Sequence, residues 1–234
     1  MKVVVVDNKP VFGLHIDTLT RICEENGITF EAKNCANEAE VVEQCQDADA
    51  ILDVYTKLSA DTINALPNCK AFLRFGIGYD IFDVDAATAD GKMVCNVPDY
   101  CIEEVATHTA ALVLDLARKV TFFNGNVHGG TWNANAGYTL HRLSGQTLGM
   151  VGYGNIARKA AGYLKAFGLS VVAYDPFLPG EVIAETGAKK VELDELFAVS
   201  DIISLHTPLF DSTYHMIDAD AFAKMKDGVM LVNT

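Results

Sequence analysis

The stretch TLGMVGYGNIARKAAGYLKAFGLSVVAYD, residues 147–175, decides the fold of this chain. A strand-length apolar run leads directly into Gly152-Tyr153-Gly154-Asn155-Ile156-Ala157, and a helical pattern follows. Gly152 allows a tight turn, Gly154 lets a phosphate approach the backbone, and the small Ala157 allows the helix to pack closely on the strand. The first amides of the helix are then available to bind phosphate oxygens. The stretch therefore predicts a Rossmann-type dinucleotide-binding unit.

A carboxylate stands where the ribose of the adenosine should lie. Asp175 follows the strand-like run Ser170–Tyr174, 23 residues after Gly152. A carboxylate at this place accepts hydrogen bonds from the ribose hydroxyls. The residues that follow, Pro176-Phe177-Leu178-Pro179, include no arginine that could bind a 2′-phosphate. We therefore predict NAD rather than NADP as the cofactor.

The alternation of short β-branched runs and helix-length segments continues on both sides of this stretch, and it predicts an α/β fold with parallel sheets. The predicted strands are Val3–Val6, Ala50–Val54, Ala71–Arg74, Met93–Cys95, Leu148–Val151, Ser170–Tyr174, Lys190–Val191, Asp201–Leu205 and Val229–Asn233. The predicted helices among them are Asp17–Glu25, Ala60–Leu66, Asn155–Phe167, Leu193–Val199 and Ala219–Met225. We predict two lobes, residues 1–99 and residues 100–234, the second a doubly wound parallel sheet that is incomplete at its C-terminal end.

A long helical pattern joins the two series, from about Cys101 to Val120. We expect Asp99 to cap this helix, with Glu103 and Glu104 near its positive end and Arg118 and Lys119 near its negative end. Apolar residues such as Leu112 and Leu114 widen the apolar stripe beyond one face. Two interpretations stay open: a helix buried between the lobes, or a contact of a homodimer. We predict a homodimer.

Composition excludes several classes of function. The formal net charge of −13 opposes binding to nucleic acid, and no apolar run approaches the roughly 18 residues of a bilayer-spanning helix. The six cysteines form no CxxC pair and the chain starts without a signal-peptide pattern, so we predict reduced thiols and a cytoplasmic protein. No His, Cys or Asp cluster has metal-ligand spacing, and no GxSxG or Cys/His pattern suggests a nucleophile.

Several motifs resemble those of the D-isomer-specific 2-hydroxyacid dehydrogenase family, which includes D-lactate and D-3-phosphoglycerate dehydrogenases. They follow the order of the family along nearly the whole chain: Arg74-Phe75-Gly76-Ile77-Gly78-Tyr79-Asp80, Asn96-Val97-Pro98-Asp99-Tyr100, Glu104-Val105-Ala106-Thr107-His108, Gly129-Gly130-Thr131-Trp132, the loop 149–158, Tyr174-Asp175-Pro176, His206-Thr207-Pro208-Leu209, and Met225-Lys226-Asp227-Gly228 leading to Asn233-Thr234. The resemblance implies a flavodoxin-like substrate-binding domain over 1–99 and an NAD-binding Rossmann domain over 100–234.

The resemblance also implies the roles of individual residues. Backbone amides of Ile77 and Gly78 would bind the substrate carboxylate, although Gly76 and Gly78 could instead only shape a turn. The pyrophosphate would lie over Gly152, Gly154, Asn155 and Ile156, with Asp175 at the ribose. The remaining expected cofactor contacts are Thr107, His206, Thr207, Pro208, Thr213, Asn233 and Thr234. Thr107 replaces an acidic or polar residue that is common in the family. Neither His206 nor His108 matches the catalytic position, and we expect both to be packed or hydrogen-bonded residues.

In relatives, the catalytic Arg, Glu and His follow the sequence segment that corresponds to Asn233-Thr234. We therefore expect no catalytic residue in this segment, and no turnover at family-like rates by residues 1–234 alone. The predicted function is hydride transfer between NAD and a small D-2-hydroxy acid. A non-catalytic NAD-binding protein, or a truncated remnant of the same fold, is the alternative. Tyr55 favours an unphosphorylated acid, with 3-phosphoglycerate as the alternative substrate, which Lys57 could favour.

Overall fold

The computed structural model describes residues 1–136 and 139–234. The chain divides into two compact units, Met1–Tyr100 and Cys101–Thr234. Each unit contains its own five-stranded parallel sheet. The predicted α/β fold class is therefore confirmed.

The sheet of the first unit has the strand order β2-β1-β3-β4-β5, which is the flavodoxin-like order. Apolar side chains of its central strands, such as Val4, Ile51 and Phe72, are fully buried in the core of the unit. Its strands and α-helices in chain order are β1 (Lys2–Val5), α1 (Ile16–Glu25), β2 (Thr29–Ala32), α2 (Glu38–Gln44), β3 (Ala50–Asp53), α3 (Ala60–Asn64), β4 (Ala71–Arg74), α4 (Val84–Ala89) and β5 (Met93–Cys95).

Three of these strands and α-helices were missing from the sequence prediction: β2, α2 and α4. Strand β2 is an edge strand of four residues that includes only one large apolar side chain, Phe30, so no apolar run reveals it. The helices α2 and α4 have seven and six residues, too few for a clear apolar period. Both begin at a side-chain cap, because Asn37 accepts a hydrogen bond from Glu40 and Asp83 accepts one from Ala86.

The second unit has the strand order β10-β9-β6-β7-β8, with β6 at the centre. Renumbered from β6, this is the order 3-2-1-4-5 of a Rossmann sheet. The elements are α5 (Ile102–Arg118), α6 (Val120–His128), β6 (Thr147–Val151), α7 (Asn155–Lys165), β7 (Ser170–Tyr174), α8 (Gly180–Ala184), β8 (Lys189–Lys190), α9 (Leu193–Val199), β9 (Ile202–Leu205), α10 (Ala219–Lys224) and β10 (Met230–Asn233). Helices α6 and α8 are two further elements that the sequence did not indicate.

The long helix differs from its prediction at both ends. It starts at Ile102 after Cys101, without a side-chain cap, so the prediction that Asp99 caps it was wrong. It ends where Lys119 adopts a left-handed conformation (φ 55°), and α6 follows. The Asp115 carboxylate accepts a hydrogen bond from the amide of Thr121, which stabilises this break because an orphan amide of α6 is satisfied.

The apolar side chains of α5 pack within their own unit. Ala106, Ala110 and Val113 are buried in the core that α5 forms with α7 and the sheet. Leu112 and Leu114 are partly buried against the same core. The width of the apolar stripe is thus explained inside the second unit, and it does not by itself require a second copy of the chain.

Four of the six cysteines are buried, and all six are free thiols. Within the two described ranges, no helix combines the length and apolar character needed to cross a membrane. No group of three His, Cys, Asp or Glu residues in the same ranges could hold a metal ion.

Candidate functional site

The glycine-rich loop lies at the carboxyl end of β6, the central strand of the second sheet. Helix α7 begins directly after it, with Gly154 as its N-cap and without a side-chain cap. The first amides of α7 therefore have no partner within their helix. Gly154 and Asn155 are exposed and Ile156 is half-buried, so a ligand can reach them. Open α/β sheets bind ligands at this kind of position, outside the carboxyl ends of the strands, where the strand order reverses at the central strand.

The two glycines of the loop are needed for different reasons. Gly152 has a φ of 82°, and a Cβ there would lie 2.8 Å from the backbone oxygen of His206. The chain itself therefore excludes a side chain at Gly152. A Cβ on Gly154 would meet no atom within 4 Å, so the fold leaves open space at this backbone. That space suits the pyrophosphate of a dinucleotide, and the residues present fit NAD.

Asp175 has a structural role beside its expected one. Its Oδ2 accepts a hydrogen bond from the amide of Tyr153 (2.9 Å), and its Oδ1 accepts from the amides of Phe177 (2.9 Å) and Leu178 (3.2 Å). The carboxylate thus ties the glycine loop to the end of β7. Oδ1 is thus saturated, whereas Oδ2 accepts only one bond and keeps acceptor capacity for a ribose hydroxyl. The sequence signal for this second role was the Asp-Pro pair, since Asp commonly accepts from amides two or three residues later in turns.

The segment after β9 is held by its own side chains. The Nε2 of His206 lies 2.8 Å from the Ser204 hydroxyl, and burial lowers the pKa of His206 to about 4. His206 is therefore a neutral, packed side chain at physiological pH. The Thr213 hydroxyl accepts from the amide of Phe210 and donates to the carbonyl of Pro208, which closes the loop. The Thr213 side chain is thus engaged within the loop.

The other expected cofactor contacts are scattered over the second unit. The Thr207 hydroxyl donates to the sulfur of Met216. Thr107 is exposed on α5 and donates to carbonyls of its own helix. Asn233 and Thr234 are exposed at the end of β10, and the Thr234 hydroxyl lies 3.4 Å from that of Thr109. Among the described residues, the Thr107 hydroxyl makes its hydrogen bonds within α5 and none to the loop Gly152–Gly154.

In the first unit, the loop Gly76–Gly78 follows β4 and uses its carbonyl groups for internal hydrogen bonds. The amide of Val97 donates to Gly76 (3.0 Å), Nδ2 of Asn96 donates to Ile77 (2.7 Å), and Nη1 of Arg74 donates to Gly78 (2.7 Å). Across residues 1–136 and 139–234, no group accepts from the amides of Ile77 or Gly78. Two adjacent amides are therefore available to an anion.

Arg74 explains both glycines of this loop. Its guanidinium packs against their backbone, so a Cβ on Gly76 would lie 3.2 Å from Cζ. A Cβ on Gly78 would lie 3.0 Å from Nη1 of Arg74 and 3.0 Å from Oδ1 of Asp80. The Nε of Arg74 also donates to the carbonyl of Val54 (3.0 Å), and its Cζ lies 5.7 Å from the centre of the Tyr55 ring. Arg74 thus links the loop Gly76–Gly78 to the loop after β3, a role that sequence reasoning missed.

Two buried carboxylates lie beneath Tyr55. Asp7 accepts hydrogen bonds from the amides of Val54 and Tyr55, and it is almost fully buried. Asp53 is fully buried, and burial together with the charge of Asp7 raises its pKa to about 8. Sequence reasoning missed this pair. The available signal was their position at the carboxyl ends of β1 and β3, which are neighbouring strands.

The strand order, the glycine loop at β6 and the carboxylate after β7 define the second unit as an NAD-binding Rossmann unit. The family model described as "D-isomer specific 2-hydroxyacid dehydrogenase, NAD binding domain" matches residues 110–234. The chain belongs to the D-isomer-specific 2-hydroxyacid dehydrogenase family. The resemblance drawn from the motifs is thereby confirmed, as is NAD as the cofactor of the family.

Individual relatives share the fold and differ in their substrates. The chain is 33% identical to D-3-phosphoglycerate dehydrogenase of Rattus norvegicus over 91% of this chain and 40% of that protein. It is 31% identical to hydroxypyruvate reductase of Blautia hydrogenotrophica over all of this chain and 74% of that protein. The structure of D-lactate dehydrogenase from Aquifex aeolicus in complex with NAD and lactic acid superposes with a TM-score of 0.87 at 28% identity, covering 100% of this chain and 68% of that one. The chain spans between 40% and 57% of the length of several curated relatives that it matches.

Proposed function

We propose that this protein binds NAD on its second unit and the carboxylate of a small acid on its first unit, as an oxidoreductase that interconverts a D-2-hydroxy acid and its 2-oxo acid. The nicotinamide ring, when bound, supplies the site that accepts or gives the hydride. The amides of Asn155 and Ile156 would hold the pyrophosphate above Gly154, and Asp175 would hold the ribose.

The arrangement of the loop Gly76–Gly78 is the observation that carries the proposal for the substrate. Its carbonyl oxygens are satisfied internally, while the amides of Ile77 and Gly78 lack acceptors among the described residues. Consecutive free amides form a concave site that suits a carboxylate. Backbone donors cannot lose their protons in the physiological range, so such a site would bind the anion without depending on pH.

The surroundings of Tyr55 favour an unphosphorylated substrate. The segment after β3 is held from beneath by Asp7, and its neighbour Arg74 is already engaged by Val54, Gly78 and the Tyr55 ring. A phosphate there would meet the Asp7 carboxylate with the Arg74 guanidinium occupied, and the turnover test below decides whether Lys9 and Lys57, which line the same cavity, outweigh this. We therefore propose an acid of the size of pyruvate or hydroxypyruvate.

We assign no catalytic role to the histidines of the described ranges. A general acid of this reaction needs a titration near neutral pH, and His206 has a pKa of about 4. No histidine in the described ranges is hydrogen-bonded or ion-paired to a carboxylate that could orient it. The residues of this chain would thus bind and orient the two ligands.

Binding and turnover test the proposal separately. Calorimetric titration should give saturable NADH binding, and oxamate, a stable analogue of pyruvate, should then bind to the NADH complex. NADH oxidation should be followed with pyruvate, hydroxypyruvate and 3-phosphohydroxypyruvate. Failure to bind NADH would reject the cofactor site. A preference for the phosphorylated acid would reject the substrate class.

We further propose that the protein is a cytoplasmic homodimer. The family resemblance supports the dimer, whereas the packing of α5 explains its apolar residues within one unit. Exposed apolar side chains on or near α6, including Val120, Val127 and Trp132, are better candidates for a contact. Light scattering at micromolar concentration should give twice the mass of one chain, and a monomer would reject the dimer.

A further inference from the structure

Each peptide group of the loop Gly76–Gly78 has its direction set by one hydrogen bond. In a planar trans peptide, the carbonyl and the following N–H point in opposite directions. The bond from the Val97 amide to Gly76 therefore sets the direction of the Ile77 N–H. In the same way, the bond from Asn96 to the Ile77 carbonyl sets the direction of the Gly78 N–H.

These two bonds differ in what they depend on. The Val97 donor is a backbone amide that no substitution short of proline removes. The Asn96 donor is a side chain, which lies beside the loop because β5 pairs with β4 in the register Leu73↔Cys95. Gly78 lacks the Cβ that would restrict its peptide, so this peptide can turn once the Asn96 bond is lost.

We infer that Asn96 is a positioning residue for carboxylate recognition. Its Nδ2 holds the Ile77 carbonyl at 2.7 Å and thereby directs the Gly78 N–H outward, where an anion can accept it. Asn96 itself need not touch the substrate. The inference rests on the proposed function, because it assigns the carboxylate of the acid to the amides of Ile77 and Gly78.

The test uses Asn96→Ala in the full chain, with NADH saturating and oxamate as the probe. Loss of one oriented hydrogen bond to an anion should weaken oxamate binding roughly tenfold. Asn96→Asp should weaken it further, because an ionised carboxylate cannot donate and also repels the Ile77 carbonyl oxygen and the anionic probe. Asn68→Ala is the matched control: its Nδ2 also donates to a backbone carbonyl of this unit, that of Gln46 (2.8 Å), away from the loop.

Amide NMR supplies a measurement that a merely structural role would not change. In the unchanged chain, oxamate should shift the amide signals of both Ile77 and Gly78. In Asn96→Ala, the shift at Gly78 should shrink more than the shift at Ile77, because the Val97 bond still orients the Ile77 amide. The melting temperature should stay that of the Asn68→Ala control.

The outcomes separate the inference from the proposed function. Unchanged oxamate affinity in Asn96→Ala would overturn the inference and leave the proposed function standing. Equal loss at both amides together with a lower melting temperature would also overturn it, since Asn96 would then only stabilise the unit. If oxamate shifts neither amide in the unchanged chain, the carboxylate site is wrong and the inference falls with it.

Discussion

The substitution Gly152→Ala should destabilise the second unit. Alanine at a φ of 82° costs about 1–2 kcal/mol of backbone strain. Its Cβ would also lie 2.8 Å from the backbone oxygen of His206, which cannot rotate away, and overpacking of this kind costs typically 1–3 kcal/mol. The sum is about 2–5 kcal/mol, a large part of the 5–15 kcal/mol that typically stabilises a domain.

Gly154→Ala should do the opposite: it should weaken NADH binding and leave the stability of the second unit nearly unchanged. A Cβ there meets no protein atom within 4 Å, and the φ of −72° suits alanine. Replacing a glycine N-cap with alanine should cost no more than about 1 kcal/mol. The new methyl group would, however, occupy the space proposed for the pyrophosphate. We therefore expect NADH affinity to fall at least tenfold, about 1.4 kcal/mol.

Urea unfolding and NADH calorimetry on both variants provide the measurements. Gly162→Ala is the control: it lies in the interior of α7 with no atom within 4 Å of its Cβ, and it should stabilise the unit by roughly 0.5–1 kcal/mol without changing NADH affinity. Unchanged stability of Gly152→Ala would refute the close approach of His206. Unchanged NADH affinity of Gly154→Ala would refute the pyrophosphate site.

Three further predictions concern charged groups. NADH should bind more tightly than NADPH, and Asp175→Ala should weaken NADH by about 1–3 kcal/mol, measured by titrating both cofactors; equal affinities would remove the assigned role of Asp175. Burial lowers the pKa of His206 from 6.5 to about 4, so as the pH falls the imidazole is protonated in the unfolded chain before it is protonated in the folded one. The folded state is therefore stabilised above pH 6.5, and this stabilisation is lost as the pH falls from 6.5 towards 4. Urea unfolding should give a free energy of unfolding that is about 1–3 kcal/mol lower at pH 5 than at pH 7, and His206→Gln should make this difference smaller. An equal difference in both proteins would contradict a neutral, buried His206. Burial and the charge of Asp7 raise the pKa of Asp53 from 3.8 to about 8. Its protonated form therefore stabilises the fold fully below pH 3.8, and this stabilisation is lost as the pH rises from 3.8 through 8. At pH 9, Asp53→Asn should have a higher melting temperature than the unchanged chain, because asparagine carries no buried charge. A lower melting temperature would contradict the raised pKa of Asp53.

The sequence alone identified the family, the NAD-binding unit and most of the parallel strands. Strand β7 and helix α9 have the bounds that the pattern indicated, because a buried strand and an amphipathic helix each leave a local period in the chain. The glycine loop and Asp175 could likewise be found from their spacing. These features depend on residues close together in sequence, so the order of residue types is enough to predict them.

Only the tertiary structure revealed how the candidate sites are held. Asn96 lies 19 residues from Ile77, and Asp7 lies 47 residues from Val54. Their hydrogen bonds exist because particular strands are neighbours in the sheet, and strand order leaves no period in the sequence. The break of the long helix at Lys119 depends on a single left-handed residue within an otherwise helical pattern. Local residue patterns report burial and propensity, whereas the pairing of distant polar groups is decided when the sheets assemble.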